Sequence, residues 1–90
     1  MNLYLVTFQM SGEERENLMV ARMKEQSSWA RITSHSWCIR TEVAKATEIR
    51  DQLGNSVSIQ SEERLMVVNI TKSAWGSYNL PKEVADWLKE

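Results

Sequence analysis

The alternation of apolar and polar positions divides the chain into four stretches of strand period and three of helical character. Asn2 to Met10, NLYLVTFQM, sends Leu3, Leu5 and Thr7 to one side of an extended strand and Tyr4, Val6 and Phe8 to the other. Both sides carry bulk, which predicts a central strand that needs cover on both faces.

Ser11 and Gly12 interrupt this run, and Glu13 to Gln26 reads as a helix with acidic residues in its first turn, where they favour the macrodipole. Its apolar stripe is Met19, Val20 and Met23, flanked by Leu18 and Ala21. Trp29 to Thr33 and Trp37 to Thr41 then alternate as a hairpin around the turn Ser34, His35, Ser36. In the second of these strands Trp37, Ile39 and Thr41 share one face, and Cys38 and Arg40 share the other.

Thr41 is placed to cap the next helix, with Glu42 in its first turn and Gly54 at the position where a left-handed residue ends a helix. Val43, Ala46, Ile49 and Leu53 form its stripe, with Arg50 at the edge. Asn55 to Glu63 is a polar connection holding a short extended piece at Val57 to Ile59. Arg64 to Thr71 is the second central strand, with Leu65 and Val67 on one side and Met66, Val68 and Ile70 on the other. Gly76 and Asn79 mark a loop, and Pro81 opens a short helix whose sticky side is Val84, Trp87 and Leu88.

This order predicts an α+β fold: a ferredoxin-like βαββαβ domain over residues 1–72, with a four-stranded antiparallel sheet and both helices on one face. Residues 73–90 form a C-terminal tail with a short helix, either a lid on the domain or an arm onto a partner. The other sheet face would stand in water, which points to a symmetric homodimer with Leu3, Leu5, Leu65 and Val67 in its interface.

Ninety residues make one small domain, for which self-association adds useful burial. With 42% hydrophobic and 26% charged residues, the composition is that of a globular protein. Eleven Lys and Arg against twelve Asp and Glu leave a net charge of −1, so a nucleic acid would have to be held by a local patch. A lone Cys38 and a lone His35 give neither a disulfide nor a zinc set, and no cofactor is expected. No secretory h-region and no apolar run long enough for a membrane span is present, which predicts a soluble, cytoplasmic protein with no membrane contact.

Candidate chemistry is sparse. His35 between Ser34 and Ser36 is turn chemistry, with no third group to orient the ring, and is expected to be exposed. Asp51 and Asp86 are the only aspartates and lie far apart. Cys38 reads as a small buried residue. Trp37, with Arg31 and Arg40 near it on the hairpin, is the candidate grip for a single-stranded nucleic acid, against the plainer reading of tryptophan as core or dimer contact. Trp75 and Trp87 are expected to anchor the tail.

The opening MNLYLVTFQM, the strand SWCIRT, the run EERLMVVNIT after a polar loop and the Trp-rich close together resemble the small CRISPR-associated adaptation-subunit (Cas-two) family and its SinR-like relatives, to about residue 75. The resemblance implies a ferredoxin-like dimer. Some members are credited with metal-dependent cleavage of RNA or DNA, others serve as noncatalytic parts of an assembly, and relatives act in toxin and antitoxin pairs. The proposed catalytic Asp of the family follows the aromatic residue that closes the first strand, and Gln9 stands there after Phe8. A neutral carboxamide cannot supply the anionic oxygen that a divalent ion prefers. The family's acidic residue before the last strand corresponds to Glu63, read from the sequence as a solvated carboxylate. The expectation is therefore a noncatalytic dimeric module acting through a protein partner or a nucleic acid, with a metal-dependent endonuclease or an antitoxin-like partner as the alternatives.

Overall fold

The computed structural model describes residues 1–90 as an α+β chain, a four-stranded antiparallel sheet with three helices. The elements run β1 (Asn2–Gln9), α1 (Glu13–Lys24), β2 (Trp29–Thr33), β3 (Ser36–Thr41), α2 (Ala46–Val57), β4 (Arg64–Asn69) and α3 (Lys82–Lys89). The sheet order is β2-β3-β1-β4, so the most apolar strand is flanked on both sides.

Tyr4, Val6 and Phe8 of β1 and Trp37 and Ile39 of β3 point to one face, where Met19 and Met23 of α1 and Ile49, Leu53 and Val57 of α2 close over them as one core. Leu65 and Val67 of β4 pack at its edge. Each β1 side chain in this layer stands opposite a partner on the same face, Val6 against Val67 and Phe8 against Leu65.

The second helix departs from its expected limits. It starts at Ala46, because the Thr41 hydroxyl instead accepts the Val43 N–H at 3.2 Å in a local turn. It runs through Gly54 to Val57, which removes the extended piece expected at Val57 to Ile59. Ser58, at φ 50, takes the left-handed cap, and the Ile59 N–H returns to the Gly54 carbonyl at 2.9 Å. Gly54 is not the left-handed cap, and a Cβ there would lie 3.6 Å from Ile59 Cγ2, an ordinary packing distance, so neither φ nor space demands a glycine at this position. Gly12 does need its conformation: at φ 114 it turns the chain from β1 into α1.

That turn is fixed by Glu63, whose side chain is 0% exposed. The carboxylate accepts from the Ser11 N–H and hydroxyl, each at 3.1 Å, from the Gln60 N–H at 2.9 Å, and from Arg15 through Nε at 3.1 Å and Nη2 at 2.8 Å. The bidentate Arg15 fork and the two backbone N–H groups hold its carboxyl well below the usual carboxylate range, against the opposing effect of burial. Glu63 is thus no solvated strand entrance: it ties the β1–α1 turn, α1 and the approach to β4 together.

The tail helix α3 lies on β2, across the sheet from α1 and α2. Trp87 anchors it as expected, its Nε1–H donating to Ser28 Oγ at 3.1 Å, while Trp75 stays about half exposed. No helix is long and apolar enough to cross a membrane.

Candidate functional site

The feature that sets this domain apart from a self-contained one is the sheet face turned away from α1 and α2. Alternation places Leu3, Leu5 and Thr7 of β1 there, and the register sets Val68 against Leu5 and Met66 against Thr7. Cys38 and Ala30 continue the same face across β3 and β2, since Leu5 pairs with Cys38 and Cys38 with Ala30.

Cover on this outer face is uneven. Over β2 and β3, Ala30 and Cys38 are buried, and burial pushes the Cys38 thiol up to about 11, partly offset by the Arg40 charge. Over β1 and β4, Met66 is 57% and Val68 37% exposed, and Leu3 and Leu5 are half-buried. Apolar side chains left in a contiguous strip of this kind mark an interaction surface.

The four residues expected in a dimer interface therefore do not share a face. Leu3 and Leu5 lie on the outer face, but Leu65 and Val67 are cross-strand partners of Phe8 and Val6 and pack against the core. Met66 and Val68 take their place. The antiparallel register, set by how β4 is fed back along β1, decides which of its two sides joins the Leu3 side.

The proposed nucleic-acid residues are likewise separated. Trp37 is 0% exposed, closed in by Trp29 at 5.1 Å between ring centroids and by the Arg31 guanidinium 5.2 Å from its own ring centroid, so no face of it is open for a base. Arg31 is exposed at the sheet edge and Arg40 points to the opposite face. There Arg40 stacks 4.0 Å over the Trp87 ring and donates to the Trp87 carbonyl at 2.6 Å. It is a clamp on α3.

At the end of β1, Gln9 is exposed opposite Arg64, on the rim of an open cleft of about 490 Å³ that His35 also lines. His35 is exposed as expected; its Nε2 contacts the Glu16 carboxylate, and its ring stands edge-on to Phe8 at 6.0 Å. Neither flanking serine hydroxyl is hydrogen-bonded to the ring. Nowhere do three His, Cys, Asp or Glu side chains come together in a group that could hold a metal ion. The two carboxylates near this end are engaged, Glu16 with His35 and Glu63 with Arg15. The site offers contact surface and charge, with no nucleophile and base in hydrogen-bond relation.

Two features were not foreseen from the residues, the Glu63 cluster and the Arg40 clamp. One signal pointed to the first: Arg15 stands four residues before Met19 and eight before Met23, on the buried stripe of α1, where an arginine needs an acidic partner. Nothing local pointed to the second, because Arg40 and Trp87 are 47 residues apart.

Comparison of the chain with protein-family models, with curated proteins and with solved structures returned no match.

Proposed function

We propose that the chain is a noncatalytic, ferredoxin-like module of the Cas-two-like kind that works as a homodimer through its outer sheet face and, in that form, engages a protein partner or a nucleic acid. The observation that carries this reading is the open strip Leu3, Leu5, Met66 and Val68 on the central strand β1 and the edge strand β4 of a 90-residue chain. A second copy presenting the same strip about a two-fold axis removes it from water.

The element order, strand-helix-strand-strand-helix-strand, and the sheet order with β1 and β3 inside support the ferredoxin-like assignment. The noncatalytic part is supported by Gln9, an exposed neutral side chain facing the cation Arg64 rather than a second carboxylate. A divalent ion needs anionic oxygens at that place.

Incubation of the purified protein with labelled single-stranded RNA and double-stranded DNA, with and without magnesium or manganese, separates binding from cleavage. On a denaturing gel the substrates stay intact under all conditions. A retarded band on the parallel native gel assigns nucleic acid as the partner, and its absence assigns a protein. Metal-dependent cleavage that disappears on substitution of Gln9 would overturn the noncatalytic reading.

A further inference from the structure

We propose that α3 is a self-docked cover that limits how much of the outer sheet face a second copy can reach, so that its release is coupled to self-association; this rests on the homodimer reading above.

The position of α3 comes first. Cys38 and Ala30 lie on the same face as Met66 and Val68, yet they are buried, and the element resting on that half of the sheet is α3. An α-helix with its side chains is about 10–12 Å across. Two sheets packed face to face stand about 10 Å apart. Docked α3 therefore fills the layer that a partner's sheet would occupy over β2 and β3, leaving only the β1 and β4 half open.

The attachment of α3 is narrow. Val84 is its one buried residue. The remaining hold is polar and concentrated at its C-terminal end, where Arg40 grips the Trp87 ring and carbonyl and meets Glu90 at 3.3 Å, and Trp87 reaches Ser28. Toward its N-terminal end a cleft of about 510 Å³ remains between Trp29, Ala30 and Arg31 on the strand and Pro81, Val84 and Trp87 on the tail.

Residues 70–81 connect β4 to α3 without helix or strand, and most of them are exposed. A helix of eight residues has little stability once undocked. Segments with few buried apolar contacts open at the low end of a protein's range of local stabilities. When α3 leaves, the outer face becomes continuous from β2 to β4 and gains Ala30, Cys38 and the underside of Arg40 as contact surface. A second copy that binds this open form has its apparent affinity reduced by the fraction of chains in which α3 is docked.

Cys38 is the reporter of the docking state, because its thiol is buried opposite Ala30 on the half of the outer face against which α3 rests, and release of α3 is expected to expose it. The experiment compares the full-length protein with Trp87→Ala and Val84→Asp, both on α3 itself, by the rate of Cys38 alkylation and by sedimentation equilibrium. Each substitution is expected to raise the alkylation rate by about tenfold or more while far-UV circular dichroism stays close to that of the parent. Each is also expected to tighten self-association. Faster alkylation with self-association equal to or weaker than that of the parent would overturn the cover while leaving the homodimer reading intact. Faster alkylation with no association in any of the three proteins would remove the homodimer reading and the cover with it. Unchanged alkylation in both variants would show that α3 is not what shields this face.

Discussion

Replacing Glu63 with alanine lowers the thermal midpoint by roughly 10 °C or more, a larger effect than any other single carboxylate in the chain should give. The side chain is fully enclosed and receives donors from three separate segments, at Ser11, Arg15 and Gln60. Without it the Arg15 guanidinium keeps only the Ser58 carbonyl, at 3.3 Å, and the Ser11 and Gln60 N–H groups lose their acceptor. An enclosed donor stripped of its partner is more damaging than the loss of the pair as a whole. The combined change Glu63→Leu and Arg15→Met is therefore expected to recover part of the loss.

The same contact gives stability a defined dependence on pH. The folded chain holds the Glu63 carboxyl below its ordinary value, so between that value and the folded one the unfolded chain binds the proton more readily. The stabilisation is full above the usual carboxylate range and fades as the pH falls through that range toward the strongly acid end. In Glu63→Ala this part of the acid destabilisation is absent, and melting curves across the acid range display it. Parent and variant curves with the same midpoint and the same acid slope would contradict the assignment.

Trp37→Ala is the second large effect, about 3–5 kcal/mol. That is comparable with the whole stability of a small domain, so the variant is expected to be largely unfolded at room temperature. Trp37 is the largest of the fully buried side chains, and β3 brings it against the sheet centre. Trp37→Phe is expected to be much milder. The Trp37 Nε1–H is buried with no acceptor, and phenylalanine removes that unmet donor along with part of the ring volume. Urea midpoints of the two variants measure the difference. Equal losses would mean that the indole N–H has a partner in solution, and a well-folded Trp37→Ala would show that the ring is not central to the core.

Most of the architecture is legible in the sequence, because two-residue alternation and helical spacing are local signals. The side assignments within β1, β3 and β4 follow directly from it: Tyr4, Val6 and Phe8 are inside while Leu3 and Leu5 are not, and Leu65 and Val67 share one side. Which side of β4 joins which side of β1 is set by register, a long-range property, and a slip of one residue exchanges the two faces. Thus Leu65 and Val67 are found in the core, and Met66 and Val68 on the candidate face.

The limits of α2 show a different loss of information. Thr41 and Gly54 both have the residue type of a cap, but the hydroxyl of Thr41 serves a turn and Gly54 lies inside the helix, where the left-handed cap falls to Ser58 instead. Residue type alone does not separate those uses. The Glu63 cluster and the Arg40–Trp87 clamp bring together residues 48 and 47 positions apart, and only the fold makes them neighbours. Gln9 is the reverse case: its neutrality is plain from the sequence, and the structure adds that it faces Arg64.

Sedimentation equilibrium of the parent protein and of the double substitution Met66→Lys with Val68→Lys tests the outer-face homodimer most directly. Both side chains are exposed on an edge strand, so lysines there leave the core untouched and the thermal midpoint of the folded chain nearly unchanged. The parent is expected to sediment as a dimer at micromolar concentration and the double variant as a monomer. A parent that is folded and monomeric at that concentration, or a dimer that survives both lysines, would contradict the account.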